Sequence, residues 1–128
     1  MRAGNGSHNE SATVRVFAGN SCIFRNNRFV CVTGSDSGAI FMQAYSGFYN
    51  HVLIQGNLLY TGNYDLVLMG YGENTYGNDI RARNNRFVKY GYGPVWVSSG
   101  PGFAEWTENY YDDPSDPDDH KGTIINEP

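Results

Sequence analysis

Apolar and polar residues alternate in short runs along the chain, and the runs recur. Four segments match: Cys22-Ile-Phe-Arg-Asn-Asn-Arg-Phe29, Val52-Leu-Ile-Gln-Gly-Asn-Leu-Leu59, Ile80-Arg-Ala-Arg-Asn-Asn-Arg-Phe87 and Ala104-Glu-Trp-Thr-Glu-Asn-Tyr-Tyr111. Alternation with a period of two is the signature of β-strands. The columns Cys22/Val52/Ile80/Ala104 and Phe24/Ile54/Ala82/Trp106 suit a core, whereas Ile23/Leu53/Arg81/Glu105 and Arg25/Gln55/Arg83/Thr107 suit an outer face. A second family of strands falls between these units: Val14–Val16, Ile40–Met42, Val67–Met69 and Val95–Val97. Each repeat therefore predicts an apolar strand, a polar connection, a second strand, a tight turn and a short third strand.

An asparagine closes every turn, at Asn27, Asn57, Asn85 and Asn109, with intervals of 30, 28 and 24 residues. Spacings of this size point to a solenoid, in which each coil buries its core only by stacking on its neighbours. The residues before the column, Asn26, Gly56, Asn84 and Glu108, sit where a tight turn needs a positive φ, which Gly and Asn tolerate best. Stacked Asn amides can also satisfy polar groups that such a turn buries. An antiparallel β-sandwich with unrelated turns is the competing architecture. The expectation is an all-β chain: a lead-in over 1–12, a parallel β-helix of about four coils over 13–111 and an acidic exit over 112–128.

These repeats resemble the right-handed parallel β-helices of the pectate-lyase-like group, in which an asparagine ladder occupies the short turn. The segment Tyr92–Val97 with Trp106–Asp113 also resembles the last coils of secreted bacterial β-helix proteins. The resemblance places a polysaccharide cleft on the outer face of the sheet containing Ile40, Val67 and Val95. It implies carboxylates holding Ca²⁺ with an Arg or Lys base for a lyase, or converging Asp residues for a hydrolase. The resembled proteins are often extracellular, although no basic stretch followed by an apolar one opens this chain.

The outward positions of that sheet read as Arg15, Phe41, Leu68 and Trp96, with Arg15 the only base and no carboxylate. The expected catalytic pattern is missing, so the leading expectation is a non-catalytic binding or structural module with carbohydrate as the ligand class, assembled as a homo-oligomer through the apolar stripe, an open sheet edge or both, with no cofactor. The apolar stripe Phe41/Leu68/Trp96 has three readings: a homo-oligomer interface, a platform for sugar rings, or a surface covered by the chain's own connections. Tyr45, Tyr49, Tyr64, Tyr71, Tyr76, Tyr90 and Tyr92 gather in the connections around the same sheet. Tyr suits recognition of polar ligands, though Tyr and Gly also fill ordinary β-rich loops. The alternative is a small polysaccharide lyase or glycosidase. Asp65 and Glu73 are its weak catalytic candidates, as the one acid pair assignable to opposite flanks, and Ca²⁺ enters only under this reading. His51, just before a strand, reads as a hydrogen-bonded turn residue.

Composition narrows the choice. Gly and Asn supply 30 of 128 residues while Lys occurs twice and Leu five times, which excludes a helical bundle. No apolar run is long enough to span a bilayer as a helix, so no membrane partner is expected. Residues 1–104 carry eight bases and five acids, and residues 105–128 carry one base and eight acids. The body is only mildly basic, and its arginines are scattered, so no nucleic-acid partner is expected. Asp112–His120 lacks the Gly and terminal Glu of a calcium loop and reads as an acidic exit laid on the surface. Cys22 reads as a buried thiol; a disulfide to Cys31 is the alternative, against which the two face different sides of the coil.

Overall fold

The computed structural model describes residues 12–15, 21–30, 38–45, 47–60, 63–89 and 91–128. Its strands form a parallel β-helix of four rungs. Sheet A stacks β1 (Ala12–Val14), β4 (Gly38–Gln43), β7 (Tyr64–Met69) and β10 (Gly93–Ser98). Sheet B stacks β2 (Cys22–Arg25), β5 (Val52–Gln55), β8 (Ile80–Arg83) and β11 (Glu105–Thr107). Sheet C stacks β3 (Arg28–Val30), β6 (Leu58–Tyr60), β9 (Arg86–Phe87) and β12 (Tyr110–Asp112), and ends on β13 (Lys121–Ile124). All pairings are parallel except β12 with β13, which removes the sandwich alternative.

Sheets B and C follow the predicted columns residue for residue. Cys22 pairs with Val52 and Val52 with Ile80; Trp106 pairs with Ala82, and Phe29 with Leu59. The interior is filled by Ile40, Met42, Leu66 and Leu68 from sheet A, Val52, Ile54, Ile80 and Ala82 from sheet B, and Leu59 and Phe87 from sheet C. Tyr49 and Tyr76 complete it, their rings stacked at 5.3 Å and 15°. The Tyr49 hydroxyl lies 3.3 Å from the carbonyls of both Met42 and Met69, and burial drives its pKa far above that of a free phenol.

The asparagine column is a hydrogen-bonded ladder. Asn57 donates from its backbone N–H and its Nδ2 to Asn85 Oδ1, both at 3.0 Å. Asn85 repeats this toward Asn109 at 3.1 and 3.0 Å, and Asn27 toward Asn57 at 3.0 and 3.2 Å. The remaining Nδ2 donor reaches back one rung to a carbonyl: Asn57 to Phe24, Asn85 to Ile54 and Asn109 to Ala82, each at 2.9 Å. Asn57, Asn85 and Asn109 are buried, and Asn27, at the open end, is exposed. Each residue before the ladder has the left-handed conformation the turn requires: φ is 55° at Asn26, 67° at Gly56, 51° at Asn84 and 51° at Glu108. Gly56 also lies against the Asn26 side chain, which a Cβ would overlap.

Sheet A corrects the expected register. Phe41 pairs with Thr13, Val67 with Phe41, and Trp96 with Val67, so the outward column is Thr13/Phe41/Val67/Trp96. Leu68 pairs with Met42 and lies fully buried in the core; it is not part of the outward stripe. The cause is the run Leu66-Val-Leu-Met69, apolar on both faces, which carries no alternation from which parity can be read. Thr13, not Arg15, is in register with Phe41; Arg15 follows β1, is exposed, and its guanidinium lies 5.5 Å from the Tyr45 ring centroid.

The acidic exit is also more structured than expected. Its carboxylates serve their own backbone: Asp113 accepts from the Ser115 N–H at 3.0 Å, Asp116 from Asp118 at 2.9 Å and Asp119 from Lys121 at 3.0 Å. These are Asx turns, the local bonding that short acidic side chains favour. They deliver the chain to β13, which pairs with β12. Beyond it, the Trp106 indole N–H donates to the Ile125 carbonyl, and the Ile125 N–H to the Asn109 carbonyl, both at 2.8 Å. The fourth rung is thus strapped over sheet C, while β10 and β11 remain edge strands of their sheets.

Candidate functional site

The outer face of sheet A does not present a continuous apolar stripe. Phe41 is 8% exposed and Val67 not at all, so the chain itself covers the middle of the column. Exposure returns at the last rung, where Trp96 is 41% exposed. Of the tyrosines predicted to flank the sheet, Tyr49 and Tyr76 lie instead in the core, and the other described ones form two separate groups. Tyr45 and Tyr71, just beyond the ends of β4 and β7, pack at 4.6 Å with Arg15 over Tyr45. Tyr64, at the start of β7, packs against Tyr92 at 5.9 Å and Trp96 at 5.6 Å. A strand of six residues separates the two groups by roughly 17–20 Å. They are two patches, not one surface.

The second group borders a groove of about 250 Å³ lined by Lys89, Gly91, Tyr92, Gly93, Pro94 and Tyr111. Tyr92 is 79% exposed, and the Lys89 ammonium lies 5.6 Å from the centroid of the Tyr111 ring. The turn residues explain the geometry. Gly91, with φ 60°, turns the chain into β10, and Pro94 belongs on an edge strand because it removes a ladder donor. Tyr111 escaped the sequence reading because it comes from β12 of sheet C on the fourth rung, whereas Lys89 lies in the connection between β9 and β10 that the sequence places beside sheet A. Only the stacking register brings Tyr111 to the mouth of sheet A.

The acid pair does not assemble. Asp65 is buried near the start of β7, and Glu73 is exposed in the turn beyond its end. About 13 Å of strand from Asp65 to Met69 lies between them before the turn begins. That exceeds the roughly 5–9.5 Å across which paired carboxylates cleave a glycosidic bond. Asp36, Tyr90 and Cys31 lie outside the described residues. Cys22 carries a free, half-buried thiol whose pKa burial raises. His51 occupies its turn at φ 54° and bonds Asp79.

No match was found among protein-family models, curated proteins or solved structures. Function therefore rests on the geometry of the chain. Among the described residues no cluster of three or more His, Cys, Asp or Glu is placed to hold a metal ion. No helix among them is long and apolar enough to cross a membrane.

Proposed function

We propose that the chain is a β-helix binding module whose ligand is a carbohydrate, seated on the Tyr64/Tyr92/Trp96 edge of sheet A. The observation that carries this reading is the contiguous aromatic cluster at the mouth of the Lys89–Tyr111 groove, with Tyr92 and Trp96 the exposed members. Flat, partly exposed rings offer apolar faces to the C–H faces of pyranose rings, and the tyrosine hydroxyls offer hydrogen bonds to their oxygens. Lys89 adds a cation at the rim and favours acidic sugars. No catalytic role is assigned to this face.

The test is affinity electrophoresis and calorimetry against neutral and uronic-acid polysaccharides. Saturable binding, stronger for acidic chains and weakened at least tenfold in Tyr92→Ala and Trp96→Ala, supports the reading. Absence of binding to every chain in the panel, or binding that both variants retain in full, rejects it.

A second reading has its own observation. β10 is a six-residue edge strand whose inward residues Val95 and Val97 stay half exposed. Such an edge invites pairing with another chain. A homo-oligomer joined there predicts a concentration-dependent mass in sedimentation, reduced to the monomer by a charged residue at Val97. A monomer at tens of micromolar would reject it.

A further inference from the structure

The turn that opens sheet B carries a second constellation. Cys22, Val52 and Ile80 are in register across β2, β5 and β8. The residues just before them, Ser21, His51 and Asp79, therefore stand on three successive rungs about 4.8 Å apart. Backbone bonds hold the corner: the Cys22 N–H donates to the His51 carbonyl at 3.1 Å, and the Val52 N–H to the Asp79 carbonyl at 3.0 Å.

Two of the three side chains are already joined. His51 Nδ1 lies 2.8 Å from Asp79 Oδ2, while Asp79 Oδ1 accepts from Arg81 Nε at 2.6 Å. The Asp79 N–H in turn donates to Asn50 Oδ1 at 2.9 Å, and the Asn50 amide packs on Gly77 so closely that no Cβ fits there. The hydrogen bond from His51, reinforced by that from Arg81, holds the Asp79 carboxyl below the usual carboxylate range. An ionised carboxylate only accepts, so Nδ1 donates in this bond, and in the neutral imidazole Nε2 is the acceptor. Along the stack Ser21 stands on the first rung, on the opposite side of His51 from Asp79.

All three residues line one recess of about 230 Å³, floored by Ile23 and Leu53 and bounded by Arg83. The buried Nε–H of Arg83 has no hydrogen-bond acceptor.

We propose that Ser21, His51 and Asp79 form a hydrolytic triad for carboxylic esters with a small acyl group. Such a site is recognised by roles and geometry, not by the order of residues in the chain. Ser21 Oγ adds to the ester carbonyl carbon as its proton passes to His51 Nε2. The tetrahedral adduct collapses, the carbon–oxygen bond to the alcohol breaks, and the departing oxygen takes that proton. Water then adds to the acyl-serine while giving a proton to Nε2. Collapse of this second adduct releases the carboxylic acid, and the proton returns to Ser21. The net change is ester plus water to acid plus alcohol, without oxidation or reduction. Ser21 and His51 are the catalytic residues. Asp79 is a positioning residue that holds the imidazole in the required tautomer.

The test uses the whole chain with p-nitrophenyl acetate as substrate and a fluorophosphonate as covalent probe, read by peptide mass spectrometry. The expected result is turnover together with labelling at Ser21. Ser21→Ala abolishes the label and lowers kcat by roughly 10³-fold or more. Asp79→Asn lowers kcat by about 10³–10⁴-fold at nearly unchanged KM while keeping the wild-type circular dichroism spectrum, which separates the effect from a loss of folded protein. Turnover undiminished in Ser21→Ala, labelling elsewhere, or neither turnover nor labelling in the unmodified chain overturns the proposal. Ser21 is exposed, so its alanine variant is expected to keep the wild-type circular dichroism spectrum. None of these outcomes depends on carbohydrate binding at sheet A.

Discussion

Replacing Asn85 with alanine removes four side-chain hydrogen bonds from the middle of the ladder. Its Oδ1 accepts from the Asn57 N–H and Nδ2, and its Nδ2 donates to Asn109 Oδ1 and the Ile54 carbonyl. Each such bond contributes about 1 kcal/mol net, and a buried donor left without a partner costs about 1–3 kcal/mol. Asn85 is fully buried, so water cannot take over. The Asn57 N–H would be stranded, while Asn109 Oδ1 would still receive the backbone N–H of residue 85. The expected loss is about 3–5 kcal/mol, a large share of the roughly 5–15 kcal/mol that holds a domain together. The same substitution at Asn27 removes one side-chain donor at an exposed rung and costs about 1 kcal/mol or less. Urea unfolding followed by far-ultraviolet circular dichroism measures both, with an unchanged slope marking a pure stability effect. Equal losses at Asn85 and Asn27 would refute the ladder as a buried, load-sharing network.

Three further outcomes follow from the same structure. Glu108 holds a φ of 51° without the tolerance of Gly or Asn, so Glu108→Gly stabilises by about 1 kcal/mol in the same urea assay. Asp79 has a depressed folded-state pKa, first through its bond to His51 and then through Arg81. Its stabilisation is therefore present above the unfolded carboxylate value of about 3.9 and is lost as pH falls through the lower folded value. The stability gap between wild type and Asp79→Asn should close in strong acid; a gap constant down to the lowest pH would refute this. Trp106→Phe removes the donor to Ile125 and should speed hydrogen exchange of the Ile125 N–H, at a cost of about 1 kcal/mol.

The parts legible in the sequence were those where one physical requirement acts on one position in every coil. The turn needed a positive φ at one position and a self-satisfying amide at the next; Gly56, Asn84 and Glu108 meet the first need, and Asn57, Asn85 and Asn109 the second. Sheets B and C alternate cleanly, so their registers were readable. Sheet A was not, because Leu66–Met69 is apolar on both faces and its parity is decided by pairing with β4 and β10. Leu68 was misplaced for that reason. The candidate sites depend on stacking even more. Tyr111 meets Lys89 and Tyr92 only through the rungs, and Ser21, His51 and Asp79 become neighbours only once Cys22, Val52 and Ile80 are in register. Each of the three is an ordinary loop residue when read along the chain.

The carbohydrate platform is tested most directly by the two indole N–H signals in a ¹H–¹⁵N correlation spectrum during titration with oligogalacturonate. Trp96 is exposed at the platform, and Trp106 is tied to the Ile125 carbonyl away from it, so the second serves as an internal control. The expected result is a saturable shift of the Trp96 signal with the Trp106 signal unmoved. A Trp96 signal unchanged at millimolar ligand, or a shift confined to Trp106, would contradict the account.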